Sequence, residues 1–193
     1  MSETLTAFWR RIDEPGHDAA MLTPTPGGWT LTGIAAFHEK GDTGLRYRVD
    51  LAPDFSTRSA AIEGFRSGRA FVHRFRRQDG EWFLDDMHMP GLGDLLHLDF
   101  GFTPSTNLQQ LRHAGLAIGE EADIPAAWFD IGEASLARLP QHYRRLDEDR
   151  YHYASPTAGY EAELELAPNG FVRLYPGLWE MERSADAHLH HRL

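Results

Sequence analysis

The stretch FVHRFRRQDGEWFLDD (residues 71–86) decides the fold of this chain. Apolar and polar side chains alternate on both sides of Asp79 and Gly80, which is the period of a half-buried β-strand. An Asp-Gly pair between two such runs favours a two-residue hairpin, because glycine accepts the positive φ that a type I′ turn requires. The stretch therefore predicts two antiparallel strands joined by a tight turn.

One face of this predicted hairpin carries a mixed set of apolar and polar side chains. A two-residue turn sets Arg77 opposite Trp82, Phe75 opposite Leu84 and His73 opposite Asp86. An Arg–Trp stack and a His–Asp pair among apolar residues suit an amphipathic ligand. They equally suit a core with one satisfied polar pair. The candidate ligand-binding residues on this face are Phe71, His73, Phe75, Arg77, Trp82 and Asp86.

Strand signals continue on both sides of the hairpin. Residues 45–51 alternate with a period of two, and residues 168–170 (Pro-Asn-Gly) indicate a second hairpin with Gly170 in the left-handed conformation. Its predicted cross-strand pairs are Leu166 with Val172, Leu164 with Leu174, and Glu165 with Arg173. Helix signals are few: residues 7–12 fit helix or strand, and residues 135–143 fit a short helix that Pro140 interrupts. The sequence predicts an all-β or β-dominated antiparallel domain, in which closure into a barrel or roll would remove exposed strand edges.

Composition narrows the class of protein. With 193 residues and no linker-like segment, we expect a single domain over 1–193, with a loose tail from about residue 183. Without cysteine there are no disulfides, thiolate nucleophiles or Cys-ligated metals, and no cofactor or metal site is predicted. The net charge of −10 disfavours nucleic acid as a partner. No secretory signal and no transmembrane-length apolar window is evident, so we expect a cytoplasmic protein.

Five short motifs place the chain beside a known family. They are LDFGFTPSTN (98–107), LR (111–112), QHY (141–143), GFV (170–172) and YP (175–176). In order and rough spacing they resemble the bacterial "Putative glycolipid-binding" family over nearly the full chain. The resemblance implies a strongly curved antiparallel sheet, in the form of a spiral β-roll or partly open barrel with one or two short helices. The implied fold is similar to that of periplasmic lipoprotein carriers and has a concave apolar face.

The same resemblance adds polar candidates to the hairpin face. Asp99, Asn107 and Arg112 are the polar residues of the matching segment, although Asp99 and Asn107 also fit ordinary turn or sheet hydrogen bonds. Arg58 belongs to an arginine-rich stretch that fits an anionic head group or, alternatively, a solvated strand face. Tyr153 is a candidate for contact with a sugar at the rim.

These observations predict a non-enzymatic protein that binds a lipid or glycolipid. Apolar burial would supply the affinity, at about 0.8 kcal/mol for each buried methylene. One alternative is an enzyme on a sugar-like substrate that uses a carboxylate pair from Asp85, Asp86 and Asp99. Another is a protein-interaction module with an exposed apolar patch. The sequence leaves the oligomeric state and the ligand open.

Overall fold

The computed structural model describes residues 3–186, and strands are its main element. The strands that precede the helix are β1 (Leu5–Arg11), β2 (Gly16–Thr25), β3 (Gly28–His38), β4 (Asp42–Leu51), β5 (Thr57–Arg66), β6 (Arg69–Gln78), β7 (Glu81–Leu84), β8 (Met87–Met89) and β9 (Leu98–Phe100). The later elements are the helix α1 (Asn107–Ala114) and the strands β10 (Glu121–Asp123), β11 (Ala126–Asp130), β12 (Ser135–Leu139), β13 (His142–Arg145), β14 (Arg150–Ser155), β15 (Tyr160–Leu166), β16 (Val172–Tyr175) and β17 (Trp179–Asp186). Short 3₁₀ turns lie at Pro104–Thr106 and Pro156–Ala158.

Fourteen of these strands form one large curved antiparallel sheet that does not close into a barrel. Its order is β10-β13-β14-β15-β16-β17-β1-β2-β3-β4-β5-β6-β7-β8, so the first and last strands of the described chain are neighbours in its middle. A small sheet of order β12-β11-β9 packs on the core face of the large one, with β9 parallel to β11. The predicted all-β class and curved antiparallel sheet are confirmed.

Alternation of side chains builds the core, as β4 illustrates. Leu45, Tyr47, Val49 and Leu51 are buried, whereas the intervening residues from Arg46 onward point away from the core. The buried face of the long strands contacts Phe100 and Phe129 of the small sheet, among others. Burial of this apolar surface is the main driving force of folding.

The hairpin of residues 71–86 forms in the predicted register near its turn. Asp79 and Gly80 adopt φ of 52° and 80°, as the left-handed turn requires. Arg77 lies opposite Trp82 and Phe75 opposite Leu84, as expected. The strand ends at Leu84, because a second two-residue turn follows at Asp85 and Asp86 (φ 49° and 63°) and returns the chain into β8.

Three sequence expectations need correction or completion. Residues 135–143 hold no helix: they form β12 and the start of β13 on either side of Pro140, which cannot continue a helix. In the second hairpin Leu166 faces Val172 as predicted, but a bulge places Glu165 instead of Leu164 opposite Leu174. Residues 7–12 belong to strand β1 up to Arg11.

Two further sequence expectations concern the second hairpin and the C-terminal end of the described chain. Glu165 and Arg173 still form the predicted ion pair. Strand β17 continues to Asp186, beyond the expected start of the tail at 183, and the rest of that tail lies outside the described residues.

Helix α1 joins two groups of buried side chains. Leu108 packs in the larger, apolar cluster with the strands β1 to β7, and Leu111 packs in the smaller, tyrosine-rich cluster with β13 to β16. Gly115 ends the helix in the left-handed conformation (φ 55°), and its N–H donates to the Leu111 carbonyl at 3.1 Å. The helix and the turn before it thereby fix the Asp99–Asn107 segment beside both halves of the large sheet.

Candidate functional site

A cleft of about 480 Å³ lies between the small sheet and the strands β14 to β17 of the large sheet. A volume of this size is within the usual range of small-molecule sites. Its main lining residues come from three parts of the chain: residues 98–107, here called the family-like segment; the strands β11 and β12; and the strands β14 to β17 of the large sheet. They are Asp99, Gly101, Thr103, Asn107, Trp128, Arg138, Tyr153, Tyr160, Tyr175 and Trp179.

Aromatic rings line this cleft on two sides. Trp128 is half-buried, and its indole lies directly over Gly101: a Cβ atom added to Gly101 would come within 2.8 Å of the Trp128 Nε1 atom. On the other side the ring centroids of Tyr160 and Tyr175 are 5.2 Å apart, and both lie within about 6 Å of the Tyr153 ring. The cleft therefore offers flat apolar faces whose edges carry polar groups.

The floor of the cleft is a hydrogen-bonded network centred on Asp99. The Thr106 hydroxyl donates to Asp99 Oδ1 at 2.7 Å, and Gln141 Nε2 donates to Asp99 Oδ2 at 2.7 Å and reaches the Tyr153 hydroxyl at 3.1 Å. Asn107 Nδ2 donates to the Tyr143 hydroxyl at 2.9 Å. Such a network holds its side chains in fixed positions, because each bond limits the rotation of both partners.

Burial changes the acid–base behaviour of this floor. It raises the pKa of Asp99, although the hydrogen bonds from Thr106 and Gln141 partly oppose this. Burial also raises the pKa of Tyr160 to about 12, so its phenol is neutral at physiological pH. The floor of the cleft therefore combines neutral donors and acceptors with one carboxyl group, and the charged Arg138 lies at the margin.

Two polar groups at the cleft lack partners within residues 3–186. The Trp128 indole N–H makes no hydrogen bond to a described residue. Gln141 Oε1, buried behind Asp99 and Tyr153, likewise accepts no hydrogen bond from the described part of the chain. The Trp128 N–H is therefore available in the cleft as a donor to a ligand hydroxyl group, whereas Gln141 Oε1 is shielded from the cleft by its neighbours.

The structure brings together three of the predicted site residues. Asp99, Asn107 and Tyr153 all line the cleft, although they lie far apart in sequence. Arg112 lies elsewhere: its guanidinium is 5.4 Å from the Phe55 ring centroid and donates to the Asn169 carbonyl at 2.9 Å. Arg58 is exposed on β5.

The hairpin residues lie away from this cleft. Phe75 and Trp82 are 1% and 0% exposed in the apolar core, and Phe71 stacks on His73. Trp82 Nε1 and Arg77 Nε both donate to the Leu95 carbonyl, at 3.0 and 2.9 Å. These two hydrogen bonds thus hold the loop before β9 against the hairpin.

The expected His73–Asp86 pair is wrong. His73 Nδ1 lies 2.7 Å from Asp85 Oδ2, and Asp86 is exposed with Arg76 as its ion-pair partner at 3.6 Å. The cause is the two-residue turn at Asp85 and Asp86, which ends the strand two residues early. Asp85, rather than Asp86, is therefore left within reach of His73.

Most aromatic residues of the cleft were not predicted from the sequence. They include Trp128, Tyr160, Tyr175 and Trp179. One signal was available: Tyr175 stands in the family-like YP motif. Trp128 stands between the buried residues Ala127 and Phe129 in a short strand. This alternation predicts only that its side chain lies on the opposite face of the strand from theirs.

Among residues 3–186 no group of three or more His, Asp or Glu side chains is arranged to hold a metal ion. The histidines near the C-terminus lie outside the described residues. Within the same range no helix combines the length and apolar character needed to cross a membrane.

Comparison with known proteins identifies the family. A family model described as "Putative glycolipid-binding" matches residues 6–181. The chain belongs to this family. The expected family resemblance is thereby confirmed, and the "Putative glycolipid-binding" match spans the cleft and both sheets.

One solved structure extends this result to the fold. A crystal structure of a DUF1089 family protein from Pseudomonas aeruginosa superimposes with a TM-score of 0.68. It shares 24% sequence identity, and the match covers 93% of this chain and 92% of that one. No curated protein matches the sequence. These comparisons thus establish the "Putative glycolipid-binding" family and the fold of the chain.

Proposed function

We propose that the protein binds a glycolipid and that the sugar head group occupies the aromatic cleft. The observation that carries the proposal is the joining of Trp128, Tyr153, Tyr160 and Tyr175 with the hydrogen-bonded Asp99 in one cleft. A sugar ring has apolar C–H faces and a polar rim of hydroxyl groups. The cleft matches both, because its rings supply flat apolar surface and its floor supplies hydrogen-bonding groups. The family's description supports the same ligand class.

Each part of the cleft has a role in this proposal. The Trp128 ring packs on one face of the sugar, and its free indole N–H donates to a hydroxyl group. Asp99 acts indirectly. It accepts a hydrogen bond from Gln141, and Gln141 in turn donates to the Tyr153 hydroxyl and fixes the position of that ring. The guanidinium of Arg138 at the margin pairs with Asp94 and lies close enough to meet a hydroxyl or phosphate near the opening.

The geometry favours binding over catalysis. Glycoside hydrolysis generally uses two carboxyl groups about 5–10 Å apart, one on each side of the scissile bond. Asp99 is the single carboxylate among the described lining residues of the cleft. Burial raises the pKa of Asp99, and both of its carboxyl oxygens already accept hydrogen bonds, from Thr106 and Gln141. We therefore propose a binding protein without catalytic activity.

Titration calorimetry with three probes tests this proposal. The probes are n-octyl β-D-glucopyranoside, methyl β-D-glucopyranoside and octyl tetraethylene glycol, which has the same alkyl chain but no sugar. The octyl glucoside is expected to bind at least tenfold more tightly than the sugar-free amphiphile. Methyl glucoside should compete for the same site more weakly, since it lacks the apolar chain.

Substitutions locate the binding. Trp128→Ala is expected to weaken octyl glucoside by about 1–3 kcal/mol through lost stacking and a lost donor. Phe65→Ala, which removes an exposed aromatic ring outside the cleft, is the matched control and should leave the affinity unchanged. Equal affinity for all amphiphiles, with no effect of Trp128→Ala, would refute the proposal. Release of octanol from the glucoside would replace it with the enzymatic alternative.

A further inference from the structure

The solvent face of the large sheet carries a second cavity that is separate from the aromatic cleft. It is a trough of about 1150 Å³ that runs across the strands β17, β1, β2, β3, β4 and β5. No residue lines both cavities, because the cleft lies on the core side of the sheet and the trough lies on the opposite side. Its surface residues are Thr6, Phe8, Ala19, Met21, Thr32, Ile34 and Ala61, with Arg46, Arg48, Glu63, Glu182 and Arg183 around them.

An apolar strip forms the middle of this trough. Phe8, Ala19 and Ile34 stand side by side on β1, β2 and β3, and Met21 lies two residues along from Ala19. Ile34 is 68% exposed, Met21 43% and Phe8 38%, which is unusual for side chains of this size at the centre of a sheet. The small side chain of Ala19 leaves a low floor between the larger neighbours.

The backbone beneath the trough is already fully used. Strands β1 to β5 are each paired on both sides, so their N–H and C=O groups bond to neighbouring strands. A peptide laid in the trough would find no strand edge to pair with, and its own backbone groups would lose water without compensation. An alkyl chain has no hydrogen bonds to lose and fits such a floor.

Charge determines which end of the apolar strip suits a polar head. The strip is continued by Arg183 on β17 and by Arg46 on β4, about 19 Å apart across four strand spacings. Arg46 is paired with Glu63 at 2.5 Å. Arg183 forms no ion pair with any residue in the described part of the chain, so its charge is available. The trough thus has a free cation at one end and apolar side chains beyond it.

We infer that this trough binds a single-chain anionic amphiphile of the fatty-acid type. The carboxylate lies at Arg183, and the alkyl chain crosses Phe8, Ala19 and Ile34. This site is additional to the sugar cleft and does not depend on it. A second copy of the chain, docked through its own trough, is the competing occupant, and sedimentation tests it below.

Calorimetry with dodecanoate tests the inference on the full-length protein. Hexanoate should bind at least fiftyfold more weakly, because each buried methylene contributes about fourfold in affinity. Dodecyltrimethylammonium, with the same chain and the opposite charge, should bind at least tenfold more weakly. Arg183→Gln should remove most of the preference for the anionic head.

Matched substitutions place the chain in the trough. Ala19→Trp fills the floor and should reduce dodecanoate affinity at least twentyfold. Ala70→Trp adds the same ring to an exposed alanine of β6, outside the trough, and should have no effect. Both variants add a strand-favouring side chain to an exposed face, and an unchanged melting temperature confirms that they fold.

Four outcomes would overturn the inference. One is the absence of dodecanoate binding, and another is an equal loss in both tryptophan variants. The third is loss of dodecanoate binding in Trp128→Ala, which would place the alkyl chain in the cleft. The fourth is a dimer in sedimentation that Ala19→Trp dissociates, which would make a second copy the occupant. Retained dodecanoate binding in Trp128→Ala, with octyl glucoside lost, would show that the two sites are independent.

Discussion

The two halves of the large sheet fill their core faces in different ways. The half from β1 to β7 buries leucine, valine, phenylalanine and tryptophan, typified by Leu31 and Trp82. The half from β13 to β16 buries a group of tyrosines. The Tyr143 hydroxyl bonds to Asn107 and Gln110 of the helix, and the Tyr153 hydroxyl bonds to Gln141. Apolar packing needs no exact orientation, whereas hydrogen bonds do. The first half therefore supplies stability, and the second supplies a defined site.

The largest expected effect separates these two roles with a pair of tryptophans. Trp82→Ala should lower the free energy of unfolding by about 3–5 kcal/mol, because the ring is fully buried in the apolar half. Trp128→Ala, at the cleft, should lower it by only about 1 kcal/mol while it weakens octyl glucoside. Urea denaturation measures both. Similar losses of stability in the two variants would abolish the distinction.

The next effect concerns a polar exception inside the apolar half. Asp18 is fully buried, where it accepts hydrogen bonds from the Thr103 hydroxyl at 2.5 Å and the Tyr47 hydroxyl at 3.0 Å. Desolvation outweighs these bonds and raises the pKa of Asp18 from 3.8 to about 7. Between pH 4 and pH 7 the folded protein therefore keeps a proton that the unfolded chain releases. The free energy of unfolding should fall by up to about 4 kcal/mol as the pH rises through this window.

The variant Asp18→Asn isolates this contribution. The comparison is needed because buried His97, whose pKa desolvation lowers to about 4, acts in the opposite direction over part of the range. The stability of the wild-type protein minus that of Asp18→Asn should fall steadily from pH 4 to pH 7. Parallel stability curves for the two proteins would show that Asp18 is already ionised in the fold.

A smaller effect tests the tyrosine-rich half with a matched pair. The Tyr143 hydroxyl accepts from Asn107 Nδ2 and donates to Gln110 Oε1 at 2.8 Å. Tyr143→Phe leaves both partners buried without a bond and should cost about 1–3 kcal/mol of unfolding free energy. Tyr151 packs in the same cluster, but its hydroxyl bonds to no described residue, so Tyr151→Phe should cost less than about 0.5 kcal/mol. Equal costs would mean that ring packing alone explains this half.

The smallest change in stability should accompany a clear change in binding. Gly101→Ala is expected to displace the Trp128 ring, because the added Cβ would lie 2.8 Å from Nε1. Stability should change by less than about 1 kcal/mol, while octyl glucoside affinity falls several-fold. Calorimetry and urea denaturation on one sample measure both. Unchanged affinity would exclude the indole from the site.

Local signals predicted much of the fold, and long-range contacts account for what they missed. The Asp79–Gly80 turn and the alternation in β4 are encoded within about ten residues, so their register could be predicted. The His73–Asp85 pair depends on a second turn immediately after the strand, in which two aspartates adopt positive φ. Helix α1 also had signals in Pro104 before it and Gly115 after it, but its two leucines give too short a periodic pattern to distinguish it from a loop.

The cleft shows the limit of prediction most clearly. Asp99 and Asn107 were identified because the family-like segment contains them, and Tyr153 because tyrosine suits a sugar rim. Their convergence with Trp128 and Tyr160 depends on how a curved sheet brings β14 and β15 against β11, which no local pattern encodes. The hairpin face was predicted as a binding surface, but an alternation of apolar and polar residues looks the same in a core strand. In the fold Phe75 and Trp82 are buried in the core.

The pairing of β1 with β17 sets the order in which the chain can fold. These are the first and last strands of the described chain, yet they join the two halves of the sheet at its centre, and Trp9 Nε1 donates across this joint to the Val172 carbonyl at 2.7 Å. During synthesis β1 can pair with β2 at once, but its other edge has no partner until β17 leaves the ribosome. The middle of the sheet is therefore completed only after β17 has been synthesised, and until then the nascent chain must protect the open edge of β1.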